Sequence, residues 1–525
     1  MFDILILGGT VYDGSGAEGR RADVGVSGDR IAAIGELSGA EAATRVAAGG
    51  KAVAPGFIDL HTHSDFTLLV DGGAESQIRQ GVTTEIVGQC GYSCAPWNGR
   101  DNGEGFIGFV EAGVDLDWRG FGEYLARLEA AKPALNVGAL VGHGTVHRAA
   151  AENGAASIAA MTKSVEAAFD EGALGLSTGL EYWPGNSASA EEIRALVAIA
   201  GKRDRLYATH VRNRDVDCAK GFEEALETAR AGGARLQISH VQPKYGAPDG
   251  AIESAFAAIE AASREGVNAA FDVIPHEWSH THVMASLPAW AREGGLSRTL
   301  ALLADPAARE RIKAAPAPIW RLVLDRRWER IVLMRSETNA RLVGETFEEI
   351  GKRRGCDPFD AALDLLLEEG EGAAHLMWTS RNFRDSDICA CLRHPRCSVM
   401  SDTMALSPQG PLANMIGSLS GYGWVARLLG HYARDRGILS LAEAIARITS
   451  RPAERLGLRG RGMLAPGAFA DAVVFDPAEV ADNATLRQPR AHPAGFHAVI
   501  VNGRLALTEG VPTGVRAGRV LRDAR

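Results

Sequence analysis

The sequence predicts an α/β protein, a (β/α)8 TIM barrel with a small β-sandwich domain formed by the N- and C-terminal segments, and three observations lead there. Eight short apolar runs alternate with stretches of helical period through the middle of the chain, and both ends carry only strand and turn patterns. The polar residues that chemistry requires fall where the apolar runs stop. A length of 525 residues suffices for one large domain and a smaller one. With 46% hydrophobic residues and a balance of 56 basic against 65 acidic side chains, net charge −9, the chain is expected to be ordered. It has no basic block suited to nucleic acid or to an anionic membrane surface. No apolar run approaches the roughly 18 residues of a spanning helix. The first basic residue is Arg20, so an export signal is not expected, and seven scattered cysteines fit a reducing cytoplasm better than a disulfide framework.

Residues 1–54 and 467–525 are assigned to the small β-domain. Residues 4–7 read as a strand that stops at Gly8-Gly9, taken as a turn, and strands at 23–26 and 30–34 flank a turn at 27–29. Near the other end, 470–476 stops at Pro477, and 498–501 runs into Asn502-Gly503, a pair that tolerates the positive φ angles of a tight hairpin. Neither end can bury a core alone, so the two are expected to pair. The barrel is assigned to 55–466, its strands to 56–60, 84–88, 137–141, 173–177, 206–210, 236–240, 269–274 and 398–402. Residues 188–202 read as a helix with Ser189 as N-cap and Glu191 and Glu192 in the first turn. The stretch 286–341, rich in Arg, Ala and Trp, is placed as an insertion, whereas 375–380 is a ninth candidate strand that pattern alone does not separate from the barrel.

Strand C-terminal ends converge on one face of such a barrel. His61 and His63 follow the first run, Cys90 the second, His210 and His240 the fifth and sixth, and Asp402 the last. In His61-Thr62-His63 the two imidazoles point to the same side of an extended chain. A single strand-end histidine is commonly a hydrogen-bonded rim residue, and a free cysteine is commonly a small buried hydrophobe. Together, imidazole, thiolate and carboxylate form a first-row metal set that favours zinc. Tyr182, just beyond the fourth run, and His143, in Gly142-His-Gly144, are candidates for contact with a substrate carbonyl. Cys389, Cys391 and Cys397 lack a fourth ligand and are read as structural.

Pro55-Gly-Phe-Ile-Asp-Leu-His-Thr-His-Ser-Asp resembles the first strand of the amidohydrolase superfamily and, more closely, of the N-acyl-D-amino-acid deacylases, the D-aminoacylases. Segments 81–93, 175–182, 208–213, 238–240, 401–402, 449–458, 460–476, 501–503 and 514–522 extend the resemblance over nearly the whole chain. Its specific part is Cys90, where most amidohydrolases bridge their metals with a carboxylated lysine or a glutamate. The resemblance implies that Cys90, His210 and His240 hold a tightly bound Zn2+, that His61 and His63 form a neighbouring weaker site, and that Asp402 is the catalytic carboxylate. It also implies a small-molecule substrate, an N-acyl-D-amino acid hydrolysed to a carboxylate and a free D-amino acid.

The sequence departs from that pattern where substrate is expected. Val241 and Gln242 follow His240 where the family has a lysine two residues on, and Lys244 is displaced along the chain as the candidate for a substrate carboxylate. Ile274-Pro-His-Glu-Trp replaces Tyr-Pro-Tyr, Thr403 replaces a glycine, and 407–414 replaces a His-Pro-Arg segment. In this stretch His276 is expected to contact substrate, while Glu277, His280 and His282 order the insertion that follows. These departures keep open a second enzyme reading, hydrolysis of a cyclic or carboxylate-free amide. A non-catalytic scaffold on the same fold is the reading from another class, and the presence of all six candidate residues speaks against it.

Overall fold

The computed structural model describes residues 1–99, 114–152, 155–292, 295–316 and 319–522. The alternating patterns at the two chain ends build one sheet. It contains β1 (Phe2–Val11), β2 (Arg20–Ser27), β3 (Arg30–Gly35), β4 (Ala42–Ala47) and β5 (Ala52–Pro55) with β20 (Ala472–Phe475), β21 (Phe496–Val501), β22 (Arg504–Thr508) and β23 (Val511–Pro512). The strand order is β23-β22-β21-β20-β5-β1-β2-β3, with β4 paired to β1. The ends meet where β20 lies antiparallel to β5, Val473 opposite Ala54 and Val474 opposite Val53. Alternate residues such as Ile4, Ile6, Val24, Val26, Val474 and Ile500 fill one core, as the two-residue period of a strand requires. Asn502 at φ 46° and Gly503 at φ 75° turn β21 into β22, the hairpin expected of that pair. Gly8-Gly9 is a correction, because β1 runs straight through it to Val11. The register against β2 shifts between Ile6 and Gly9 while Gly8 takes φ 73°, a bulge that absorbs a residue without ending the strand.

All eight internal runs become parallel strands: β6 (Phe57–Asp59), β7 (Val82–Val87), β8 (Asn136–Ala139) with β9 (Val141–Gly142), β12 (Gly175–Gly179), β13 (Leu206–His210), β14 (Arg235–Ile238), β15 (Ala269–Val273) and β19 (Cys397–Val399). A two-stranded ribbon, β10 (Ala151–Glu152) and β11 (Ala155–Ala156), lies between β9 and β12 in the chain. The pairings run β6-β7-β8 and β9-β12-β13-β14-β15-β19. Leu140 splits the third run, its N–H going to the Val87 carbonyl at 2.9 Å. Beyond the strand ends, a parallel bridge joins Thr62 to Thr403, and the Asp402 N–H reaches the His61 carbonyl at 3.1 Å. The tail does not stay with the β-sheet of the termini, since β24 (Val520–Leu521) lies parallel beside β8.

Helices cover one side of the parallel strands. Ala190–Lys202 is typical: the Ser189 hydroxyl accepts the Glu192 N–H at 3.1 Å, as read from the sequence, and Ile193, Leu196, Val197 and Ala200 are buried. Val87, Val137, Leu176, Tyr207, Leu236, Phe271 and Val399 pack in the same core as these helix residues. Ile58, Ile86, Leu140, Leu206, Ala208 and Met400 form a separate cluster. Apolar packing on both faces explains why these runs are continuous rather than alternating. The ninth candidate strand is β18 (Met377–Arg381), and it lies outside the parallel set. It pairs antiparallel with β16 (Trp278–His282) and β17 (Ile331–Arg335), over a core that includes Val283, Leu303, Trp320, Phe347 and Trp378. Among the described residues no helix is long and apolar enough to cross a membrane.

A buried polar knot ties the terminal sheet to β8. Arg461 pairs with Asp471 and donates to Asn502 at 2.9 Å, while Asn502 donates its amide to Asn136 at 2.7 Å. Asp471 in turn accepts the Asn502 backbone N–H at 2.8 Å and the Asn136 amide at 3.3 Å. Removing one member of a buried pair leaves the other charge uncompensated. Asp471→Ala should therefore cost about 3–5 kcal/mol, read as a lowered urea midpoint.

Candidate metal centre

The site is built from the turns that leave the strands. Cys90 follows β7 after Gly88, and a Cβ at Gly88 would lie 2.0 Å from the Leu140 carbonyl oxygen, so that turn admits no side chain. Cys90 itself sits at φ 54°, His240 at 34° and Asp402 at 51°. Three left-handed residues that are not glycine, each roughly 1–3 kcal/mol unfavourable, all carry side chains of the site.

The Cys90 sulfur lies 3.2 Å from His61 Nε2 and 3.4 Å from His240 Nε2. Asp402 Oδ1 lies 3.3 Å from His61 Nε2 and 3.2 Å from His63 Nε2. The His210 and His240 rings meet edge to face at 4.5 Å. Two groups result, each with its candidate ligand atoms within 4.8 Å of one another: Cys90, His210 and His240, and His61, His63, Cys90 and Asp402. Cys90 belongs to both. All six residues that the sequence singled out as metal ligands or catalytic carboxylate are brought together.

Burial alone would push the Cys90 thiol up, but the neighbouring His61 and His240 outweigh it and hold the group well below the usual thiol range. Burial likewise opposes ionisation of Asp402, and the hydrogen bonds with His61 and His63 overcome it. His240 is pushed down to about 3, first by burial and then by Arg214 and His210. The donor set is thus a thiolate, a carboxylate and imidazoles in a largely buried pocket, and the buried Nδ1 atoms of His61 and His240 accept or donate no hydrogen bond, although Asp272 Oδ1 stands 3.9 Å from the first. One sulfur with nitrogen and oxygen donors fits zinc. Asp272 Oδ1 accepts the His240 backbone N–H at 2.6 Å, fixing that turn.

The four substrate-contact candidates are placed differently. Tyr182 donates its hydroxyl to the Cys90 carbonyl at 2.6 Å, stacks on Tyr92, and meets His210 edge to face at 5.1 Å. His143 faces a helix: its Nε2 lies 2.7 Å from Glu192 Oε1, an oxygen that His147 Nδ1 also approaches at 3.3 Å. Lys244 is 3% exposed, ion-paired with Glu181, and donates to the Ile319 carbonyl at 2.7 Å. His276 is buried, and burial with the charges of Arg427 and His431 keeps it well below the ordinary imidazole range. It is His280 that feels Asp402 and His63, with burial as the main cause of a value near 4. Glu277 accepts the Arg381 guanidinium at 2.7 Å. The three clustered cysteines are free and belong to none of the metal-capable groups among the described residues.

Glu181, Asp272 and Arg214 were not singled out from the sequence. Asp272 lies inside the seventh run and Glu181 in the segment 175–182, and an acid at either place looks the same whether it faces solvent or a ligand.

The family model described as "Amidohydrolase family" matches residues 45–506. The chain is 35% identical to D-aminoacylase of Alcaligenes xylosoxydans xylosoxydans, with 99% of this chain and 97% of the relative covered. It is 34% identical to N-acyl-D-glutamate deacylase of the same organism, with 99% and 96% covered. Its structure resembles that of N-acyl-D-glutamate deacylase from Bordetella bronchiseptica complexed with zinc and a phosphonate inhibitor, at TM-score 0.82 and 32% identity, covering 99% and 100% of the two chains.

His143, His147 and Glu192 form a further metal-capable group apart from Cys90, and it is testable by itself. Hydrogen bonds with His143 and His147 hold Glu192 down at about 2, against an ordinary value of 4.5. A depressed carboxyl contributes stability that is complete above the unfolded value and drains as pH falls through the folded one. Urea midpoints of the wild type should therefore fall more steeply between pH 4.5 and 2 than those of Glu192→Gln. Parallel slopes for the two proteins would contradict it.

Proposed function

The chain belongs to the amidohydrolase family, and from that footing we propose that it is a zinc-dependent hydrolase cleaving the amide bond of N-acyl-D-amino acids, with a carboxylate and a free D-amino acid as products. The observation that carries this reading is the single thiolate of Cys90 shared between two ligand groups, one of which includes Asp402. Cys90, His210 and His240 would hold the tightly bound ion, and His61 and His63 the weaker one. When bound, zinc supplies the Lewis acidity that acidifies water and polarises a carbonyl. Asp402, ionised at neutral pH and steadied by two imidazoles on Oδ1, takes the proton of the attacking water and passes it to the departing nitrogen. Tyr182, hydrogen-bonded to the Cys90 backbone, keeps that turn in place beside His210.

We further propose that the parallel strands close into a (β/α)8 barrel through the Thr62–Thr403 bridge. In this division residues 1–54 and 467–525 form the small β-domain, apart from β24 of the tail, which joins β8, and 55–466 form the hydrolase domain. The insertion at about 286–341 shares its core with residues as far as Trp378. Seven free cysteines support a cytoplasmic location.

A second substrate class is favoured by one observation. Lys244 is engaged by Glu181, and the Gln242 amide exchanges hydrogen bonds with the Ile274 backbone at 2.8 and 3.1 Å, so neither is free to receive an α-carboxylate. Mass-spectrometric profiling of the zinc-supplemented protein on paired N-acetyl-D- and N-acetyl-L-amino acids, with cyclic and carboxylate-free amides beside them, separates the two. D-selective cleavage is the expected result, and activity confined to the other amides would transfer the function to the second class. Asp402→Asn should lower kcat about 10²–10⁴-fold while zinc stays bound. Cys90→Ala should lose the tightly held zinc, and full retention by metal analysis would refute the ligand assignment.

A further inference from the structure

We propose that Glu181 is the positioning residue of His210, and that Lys244 holds Glu181 in this role instead of receiving the carboxylate of the substrate. The proposal rests on the zinc reading above and adds residues to it. Glu181 stands two residues beyond β12, and its Oε2 lies 2.7 Å from His210 Nε2. Its other oxygen is ion-paired with Lys244 Nζ, whose second hydrogen bond goes to the Ile319 carbonyl. The two side chains are 10% and 3% exposed, so the pair is shielded from water. The Lys244 backbone N–H is tied to the Arg214 carbonyl at 2.6 Å, and the Arg214 guanidinium donates to the His240 carbonyl at 2.8 Å.

The chemistry follows from which atoms can donate. A carboxylate paired with an ammonium is ionised and only accepts hydrogen bonds. His210 Nε2 must then carry the hydrogen, and the lone pair that His210 can offer on the side of Cys90 and His240 is on Nδ1. Donation to a carboxylate also fixes the ring plane of the imidazole. Lys244 neutralises Glu181, without which a buried carboxylate would be strongly unfavourable. A substrate carboxylate would have to compete with Glu181 for a Lys244 side chain that is only 3% exposed. The chain Ile319–Lys244–Glu181–His210 thus connects the inserted segment to the ligand cluster.

The test uses Glu181→Gln, Lys244→Met and the double variant, each checked for folding by circular dichroism. The zinc dissociation constant is measured by competition with a chromophoric chelator, and KM is measured for an N-acetyl-D-amino acid and for its carboxamide. Glu181→Gln should weaken zinc binding about 10–100-fold. The double variant removes both buried charges together and so leaves none unpaired, which keeps the test available where a single variant fails to fold, and it should show the same weakening. Lys244→Met should leave the ratio of the two KM values as in the wild type. Wild-type zinc affinity in folded Glu181→Gln or in the double variant would overturn the positioning role. A rise in KM of tenfold or more in Lys244→Met, confined to the carboxylate-bearing substrate and with zinc affinity unchanged, would return Lys244 to substrate binding. A wild-type protein that binds no zinc would instead sink the functional reading itself, before any variant is compared.

Discussion

The ionised sulfur of Cys90 lies in the interior, and an unpaired charge there would be prohibitive. The arrangement holds only because imidazoles from three other strand ends reach it: His61 after β6, His210 at the end of β13 and His240 after β14. These strands are far apart in the chain, and only parallel pairing points all their C-terminal ends the same way. The turn geometry answers to the same requirement. Cys90, His240 and Asp402 each adopt a left-handed backbone conformation that the surrounding hydrogen bonds enforce, among them Asp272 on the His240 N–H and the His61 carbonyl on the Asp402 N–H.

Around this cluster several buried polar groups come in matched sets. Glu181 answers Lys244 and His210, Gln237 donates to Asp272 at 2.9 Å, and Gln242 answers the Ile274 backbone. Such matching is what makes a polar interior tolerable, because each group left alone would forfeit its hydration without return. It also narrows what the pocket can recognise. A cation already paired inside the protein is a poor receptor for a substrate anion, so groups that look alike in composition divide into those that hold the site and those that meet the ligand.

The division of labour between the two halves of the molecule has the same physical basis. The terminal sheet has its own apolar core and a polar knot at Arg461, Asp471 and Asn502 that grips Asn136 of β8. The inserted segment has its own core too, and it reaches the ligand cluster through the Ile319 carbonyl. Among the described residues neither contributes a side chain to the two ligand groups that share Cys90. Both bear on the parallel strands from outside, and strands held in fixed register are what keep four histidines, a cysteine and an aspartate in one place.

Local pattern was enough to read the eight parallel strands, the Ser189 cap, the Asn502-Gly503 hairpin and six strand-end residues that the fold brings together around Cys90, because period, capping chemistry and strand-end position are properties of neighbouring residues. It was not enough for choices made by distant partners. Residues 375–380 look like any other strand, and only the presence of β16 and β17 draws them into an antiparallel sheet. Gly8-Gly9 looks like a turn, and pairing with β2 carries the strand through it. His143, His276 and Lys244 are polar residues that follow strand ends in the sequence, yet Glu192, Arg427 and Glu181 on other segments set what surrounds them. The sequence alone determined which chemistry is present and which strand ends carry it. The tertiary structure decided which of those groups remain free to act, because hydrogen bonds and ion pairs between segments far apart in the chain exist only once the chain has folded.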